Sequence, residues 1–323
     1  MKDVNNLPPL MAEGKNSKKR STRGKSFGYQ VLGFGAGGGA APFIEATGGN
    51  SITTSGDFKI HTFTGPGTFC VSGAGTPGGS DTVSYMVVAG GGGAGYFNGG
   101  GGGAGGYREG KASTDCYTAS PLDATSGLPV SVQGYPITVG AGGTANPSTS
   151  PGNRRGYTGA TAIFSSITSA GGGGGGGGAA GGCTGAAGGS GGGAGGSSGP
   201  HAGGAGNTPP VSPAQGTAGE PITAAGGAGG GATVAGCGPG GAGAGTGINP
   251  SSCVGTPGPC GSLRYFAGGG GASAPPSPGG VGGGGSGVAP STPGTANTGG
   301  GQGGDNASGN GGSGIVIIRY KYQ

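Results

Sequence analysis

The residues capable of acid–base or nucleophilic chemistry are few and scattered. His61 and His201 are the only two histidines among 323 residues, and a serine or cysteine nucleophile would need one of them as its base. His61 alternates with apolar neighbours in Phe58-Lys-Ile-His-Thr-Phe63, a strand pattern, and His201 stands in a Gly/Pro stretch with no acid beside it. Strand packing and surface placement are the stronger readings of the two. Asp115 and Asp123 form no paired-carboxylate motif for glycoside cleavage. Matches to GxGxxG arise by chance at 98 glycines, and no Gly-Lys-Ser/Thr follows a glycine run between a strand and a helix, so no phosphate cradle is indicated. Cys70, Cys116, Cys183, Cys237, Cys253 and Cys260 contain no CxxC pair, which argues against zinc. Free thiols are the expectation, although Cys253 and Cys260 share a Pro/Gly loop that a small disulfide could close in oxidising surroundings. The expectation is a chain with no catalytic residue, no metal and no cofactor, and no enzyme activity.

Binding chemistry has more to work with. Tyr96, Phe97 and Tyr107 flank glycine blocks, and Arg264-Tyr265-Phe266 interrupts another. Aromatics beside small residues either stack on sugar rings and protein surfaces or plug gaps between glycine layers, and gap-filling is the stronger reading. These six residues are the candidates for surface recognition. The loops Pro209 to Pro221 and Pro250 to Pro259 are stronger candidates still, because exposed tips tolerate change.

What must position these residues is set by composition. With 98 glycines, 24 prolines, no tryptophan and 31% hydrophobic residues, the chain cannot bury a core typical of its length. Charged residues are only 8%, too few for the usual disordered chain, and glycines in blocks such as Gly171 to Gly178 exclude a collagen period. Strand patterns recur. Phe58 to Phe63 and Thr68 to Val71 across Gly65-Pro66-Gly67 read as a hairpin. Tyr85 to Ala89 reads as a buried strand, and Tyr135 to Val139, Ala162 to Thr168 and Gly314 to Tyr322 as further strands. Between them residues 170–310 are mostly Gly, Ala, Ser and Pro. A loop that long is uncommon in a compact domain. The consistent alternative is packed polyglycine-II-like helices with three residues per turn, whose N–H and C=O groups pair between neighbours. Val211-Ser-Pro, Glu220-Pro-Ile and Asn249-Pro-Ser mark candidate reversals. The expected fold is mainly β: short antiparallel strands in a sandwich-like body, polyglycine-II-like layers, an extended N-terminal arm and essentially no helix.

The charge sits at one end. Residues 1–25 hold seven basic and two acidic residues, which accounts for the whole net charge of +5. The expected division is a basic anchoring arm over 1–26, a connector over 27–57 and a glycine-rich β domain over 58–323, with 170–310 as its insertion. In the arm, Lys15, Lys18, Lys19, Arg20, Arg23 and Lys25 supply charge, while Leu7 and Leu10 supply an apolar cluster that a groove on an assembly partner could use. Docking onto protein therefore ranks above nucleic acid, for which the body offers no basic groove. Phe27, Tyr29 and Phe34 of the connector are expected to pack as a hook. The arm carries charges where a secretory signal needs an apolar stretch, and no run of about 20 apolar residues occurs, so neither export nor membrane insertion is expected.

The order Ser84-Tyr-Met-Val-Val-Ala-Gly-Gly-Gly-Gly-Ala94, Gly99 to Gly110 with Tyr107-Arg-Glu, Tyr135-Pro-Ile-Thr-Val-Gly-Ala-Gly-Gly143 and Gly314-Ile-Val-Ile-Ile-Arg-Tyr320 resembles the glycine-rich domain of bacteriophage tail fibres and related virion proteins. The resemblance covers Phe58 to the end. It implies a β-rich domain with glycine layers at the host-facing end of a fibre, a location in the virion after synthesis in a host cytoplasm, partners among other virion proteins and a host cell-surface receptor, and a homotrimer. No long repetitive shaft is present, so a capsid decoration protein is the alternative, and a cellular glycine-rich matrix protein the second.

Overall fold

A computed structural model describes residues 42–146, 154–178, 182–196, 199–222, 225–304 and 309–323. The arm residues Leu7, Leu10, Lys15, Lys18, Lys19, Arg20, Arg23 and Lys25, and the connector residues Phe27, Tyr29 and Phe34, lie outside them. The described chain contains thirteen strands and no helix, so the protein is mainly β.

One sheet has the order β1 (Ile44–Thr47), β4 (Gly67–Ala74), β8 (Gly134–Thr138), β9 (Ala162–Phe164) and β10 (Ile167–Ser169). The other runs β2 (Ser51–Ser55), β3 (Phe58–Phe63), β13 (Ile315–Lys321), β5 (Thr82–Val88) and β6 (Tyr107–Gly110), with β7 (Leu128–Pro129) beside β5. All named pairings are antiparallel. Ile44, Phe69, Val71, Tyr135, Ile137 and Phe164 from the first sheet pack against Phe63, Val83, Tyr85, Val87, Val316, Ile318 and Tyr320 from the second. The opposite face of β13 and β5 is buried as well: Ile315, Ile317, Met86 and Val88 pack with Tyr107, Ile248 and Phe266. Two buried faces explain why Ile315-Val-Ile-Ile and Tyr85-Met-Val-Val read as continuous apolar runs rather than alternating ones.

Two expectations are corrected. Phe58 to Phe63 and Thr68 to Val71 do not form a hairpin. The Gly65-Pro66-Gly67 turn carries the chain from one sheet to the other, and Phe63 and Phe69 meet across the core. The sheets also begin ahead of Phe58, since β1 and β2 fall within the span expected to be connector.

Beyond the strands, the glycine runs form extended rods held by backbone bonds to one another. Residues 99–106 show the rule. Gly100, Gly103 and Gly106 donate to the carbonyls of Gly176, Gly173 and Ala170; Gly101 and Ala104 donate to Gly227 and Gly230; Gly102 and Gly105 donate to Gln302 and Gly299, all at 2.7–2.9 Å. Every third residue faces the same neighbour, which is the period of a three-residue helix. The carbonyls of the same rod accept from Gly92 and Gly95, from Ser190 and Gly193, and from Gly270. Six neighbours therefore surround one rod. A Cβ on Gly102 would overlap the carbonyl oxygen of Gly92, and one on Gly92 would overlap that of Gly173. Glycine is needed here because the rods approach to backbone contact. A backbone hydrogen bond is worth about 0.5–1.5 kcal/mol net, and ordering a residue costs about 1–2 kcal/mol. Only a lattice in which nearly every donor and acceptor is used comes close to balance.

A third, two-stranded sheet, β11 (Ala244–Thr246) and β12 (Arg264–Phe266), interrupts the lattice. It is fixed to β6 through Glu109, whose carboxylate accepts from Thr246 Oγ1 at 2.6 Å and Tyr107 Oη at 2.7 Å.

Candidate functional site

The register of the rods gives the body two distinct ends. β5 runs out into 89–95, β8 into 140–145 and β10 into 170–178, while 99–106, 154–160 and 309–314 lead back into β6, β9 and β13. The strand ends Val88, Tyr107, Thr138, Ala162, Ser169 and Ile315 therefore lie on the lattice side. The chain enters the described body at the opposite side. Ile44 is in register with Ala74, the Pro42 carbonyl accepts from Thr76 and Ser80, and Lys321 Nζ stands 5.7 Å from the Phe43 ring. Pro42 and the C-terminal residues share one end, and the rod reversals make up the other.

At that distal face the turn Tyr96-Phe97-Asn98 joins rods 89–95 and 99–106. Its backbone is fixed by three bonds: Tyr96 N–H to Arg154 O, Gly178 N–H to Tyr96 O and Gly196 N–H to Asn98 O, at 2.8–2.9 Å. Phe97 and Asn98 both take the left-handed conformation, φ 58° and 52°. For asparagine that is ordinary, whereas for phenylalanine it is strained. The Phe97 side chain stays 48% exposed. Its ring lies 6.5 Å from that of Tyr96 at 37°, with the Arg154 guanidinium 5.3 Å from the Phe97 centroid and 6.0 Å from that of Tyr96. Arg154 Nη1 also donates to Gly178 O at 3.3 Å.

The same face carries an open groove of about 510 Å³ between Pro200, His201, Pro221, Ile222 and Pro275. His201 and Ile222 bond each other's backbone in both directions, which brings Glu220 into the groove wall. His201 thus has an acid nearby in space that its sequence neighbourhood does not show. One oxygen of that acid, Oε2, accepts from Ala228 N–H and Gly238 N–H at 2.8 Å each, so the carboxylate holds two rod backbones.

The other groups with chemical capacity are enclosed. His61 is fully buried, its Nδ1–H donating to Gly48 O at 2.6 Å and its Nε2 accepting from Tyr320 Oη at 3.1 Å. Burial holds its pKa below 6.5, assisted by Lys59 and opposed by the Gly48 bond. Asp115 pairs with Arg319 Nε at 3.0 Å, both side chains nearly inaccessible, and also accepts from Ser84 Oγ. Arg319 stacks on Phe58 at 4.4 Å. Burial first, and then the Glu109 charge, push the Tyr117 and Tyr107 phenols far above their usual range. Among the described residues, no three His, Cys, Asp or Glu side chains gather as a metal site. None of the six cysteines is in a disulfide.

Of the aromatic candidates, Tyr107 and Phe266 are 1% exposed and belong to the core beneath β13. They are gap-fillers and not surface recognition residues. Arg264 and Tyr265 are half-buried on β12, where Arg264 donates to Val254 O and Gly255 O and so pins the 250–259 loop. That loop lies beside the sandwich, joined to it by Asn249 Nδ2–H to Thr62 Oγ1. The loop after Pro209 also turns at the sandwich side, since Gln215 bonds Tyr107 and Ala170. Of the two loops expected to be tips, only Glu220 and Pro221 reach the distal face. Tyr96 and Phe97 remain there. The groove was missed in the sequence because its wall is assembled from three separate reversals, with Pro200, Pro221 and Pro275 as its only local signals.

A family model described as a glycine-rich domain matches residues 64–321. No curated protein matches the chain.

Proposed function

The chain belongs to the glycine-rich domain family, and from that premise we propose that it is a non-enzymatic structural protein of a bacteriophage particle, a short tail fibre or tail-associated adhesin. Its N-terminal arm docks on other virion proteins, and its glycine lattice carries the Tyr96-Phe97 face outward to a host surface. The observation that supports this reading most is the separation of ends: the chain enters the body at Pro42, beside the C-terminal strand end, and the rod reversals face the other way. The enclosure of His61, Asp115 and Glu109 fits a scaffold better than a catalyst. The fibre reading also makes the protein a homotrimer, which sedimentation of the full chain tests.

The deciding experiment is gold labelling of intact particles with an antibody to the body. Label at tail or fibre tips is the expected result. Label spread over the shell replaces the adhesin with a capsid decoration protein, and absence of the chain from purified particles removes the virion reading altogether.

A further inference from the structure

The lattice presents one aromatic side chain at its distal turn, in a way that packing does not require. Phe97 fills no gap, being 48% exposed, and it occupies a left-handed conformation that glycine or asparagine would adopt without strain. Three backbone bonds from separate rods hold the turn in place, so the ring is pre-positioned, and a pre-positioned ring loses little freedom on binding. Tyr96 backs it at a 37° tilt, and the Arg154 guanidinium adds a positive charge within 5.3 Å of the ring.

We propose that this turn is a carbohydrate site in which Phe97 stacks on the C–H face of a pyranose ring, with Arg154 favouring sugars that carry a carboxylate or phosphate. Size decides between a sugar and a protein partner. A stable protein interface covers about 800 Å² on each side and is anchored by several buried aromatics or arginines. Among the described residues, Gly178, Gly196 and Gly226 lie against the turn, and Phe97 is its exposed ring. One exposed ring, backed by Tyr96, matches one sugar ring. The Arg154 guanidinium supplies the polar half of the contact, because it can donate to an anionic group at the edge of a stacked ring.

This inference rests on the host-facing role of the distal face, and the test separates the two. Full-length protein is applied to a panel of neutral and anionic bacterial-type glycans, and in parallel to host cells. The expected result is binding to anionic glycans that falls at least about tenfold in Phe97→Gly, the scale of a lost aromatic anchor, and survives in Phe97→Tyr. Cell binding without any glycan binding overturns the carbohydrate site and leaves the adhesin reading standing. Glycan binding unchanged by Phe97→Gly, or confined to neutral sugars, overturns the site as well.

Discussion

At the scale of single residues, burial decides which chemical groups are structural. His61 has a pKa held below its free value of 6.5, so the unfolded chain takes up a proton first as pH falls. Its neutral form is the one the fold accommodates. Stability should therefore be unaffected by pH above about 7 and decline as pH drops through 6.5 toward the folded-state value. Melting curves between about pH 7.5 and 5 should show this slope in the native chain and a flatter one in His61→Gln. The Asp115–Arg319 pair is sealed from water, and Asp115→Ala leaves a buried guanidinium without its counter-charge, a loss of about 3–5 kcal/mol measurable by urea unfolding. Phe97→Gly removes a strained left-handed residue that supports no core; its melting temperature should equal or exceed that of the native chain. From sequence, Tyr96, Phe97, Tyr107 and Phe266 looked alike, each an aromatic beside glycines. Exposure separates them only in three dimensions, because Tyr107 and Phe266 lie on strands and in one buried cluster with Ile315 and Ile317, while Phe97 lies on a turn.

At the scale of elements, strands with strong apolar runs were legible. β5, β8 and β13 occupy the segments that Tyr85 to Ala89, Tyr135 to Val139 and Gly314 to Tyr322 indicate. The weak strands were not: β2 is Ser-Ile-Thr-Thr-Ser with four of its five residues exposed, and it is specified by pairing with β3 rather than by its own composition. Partnership was also hidden, since Phe58 to Phe63 and Thr68 to Val71 look like a hairpin and belong to different sheets. The rods were anticipated by the physics of glycine, but which rod meets which was not, as one glycine run is indistinguishable from the next. Their close approach is open to a direct test. Gly102→Ala puts a methyl group into the Gly92 carbonyl and should cost about 1–3 kcal/mol or more, as overpacking does. Gly65→Ala, where a Cβ meets nothing within 4 Å, should stay within about 0.5 kcal/mol of the native chain. Equal losses at both positions would contradict rod packing as the source of the need for glycine.

At the scale of the whole molecule, two kinds of core are joined in series. A conventional apolar sandwich holds the end where Pro42 enters, and a hydrogen-bond lattice holds the end that presents Phe97 and the proline-lined groove. The bonds that join them, Thr246 Oγ1 to the Glu109 carboxylate and Tyr107 N–H to Gln215 O, should couple the unfolding of one to the other. A host-facing role depends on this, because a turn held in a strained conformation keeps its shape only if the rods beneath it are rigid. The most direct measurement is amide hydrogen exchange on the full chain, followed across residues 99–106 and 170–178. The lattice predicts protection there as strong as in β5 and β13, most of all from Gly100 to Gly106, where every amide is bonded to a neighbouring rod. Exchange on the timescale of an open glycine linker, alongside protected strands, would contradict it and reduce the glycine runs to loops between the sheets.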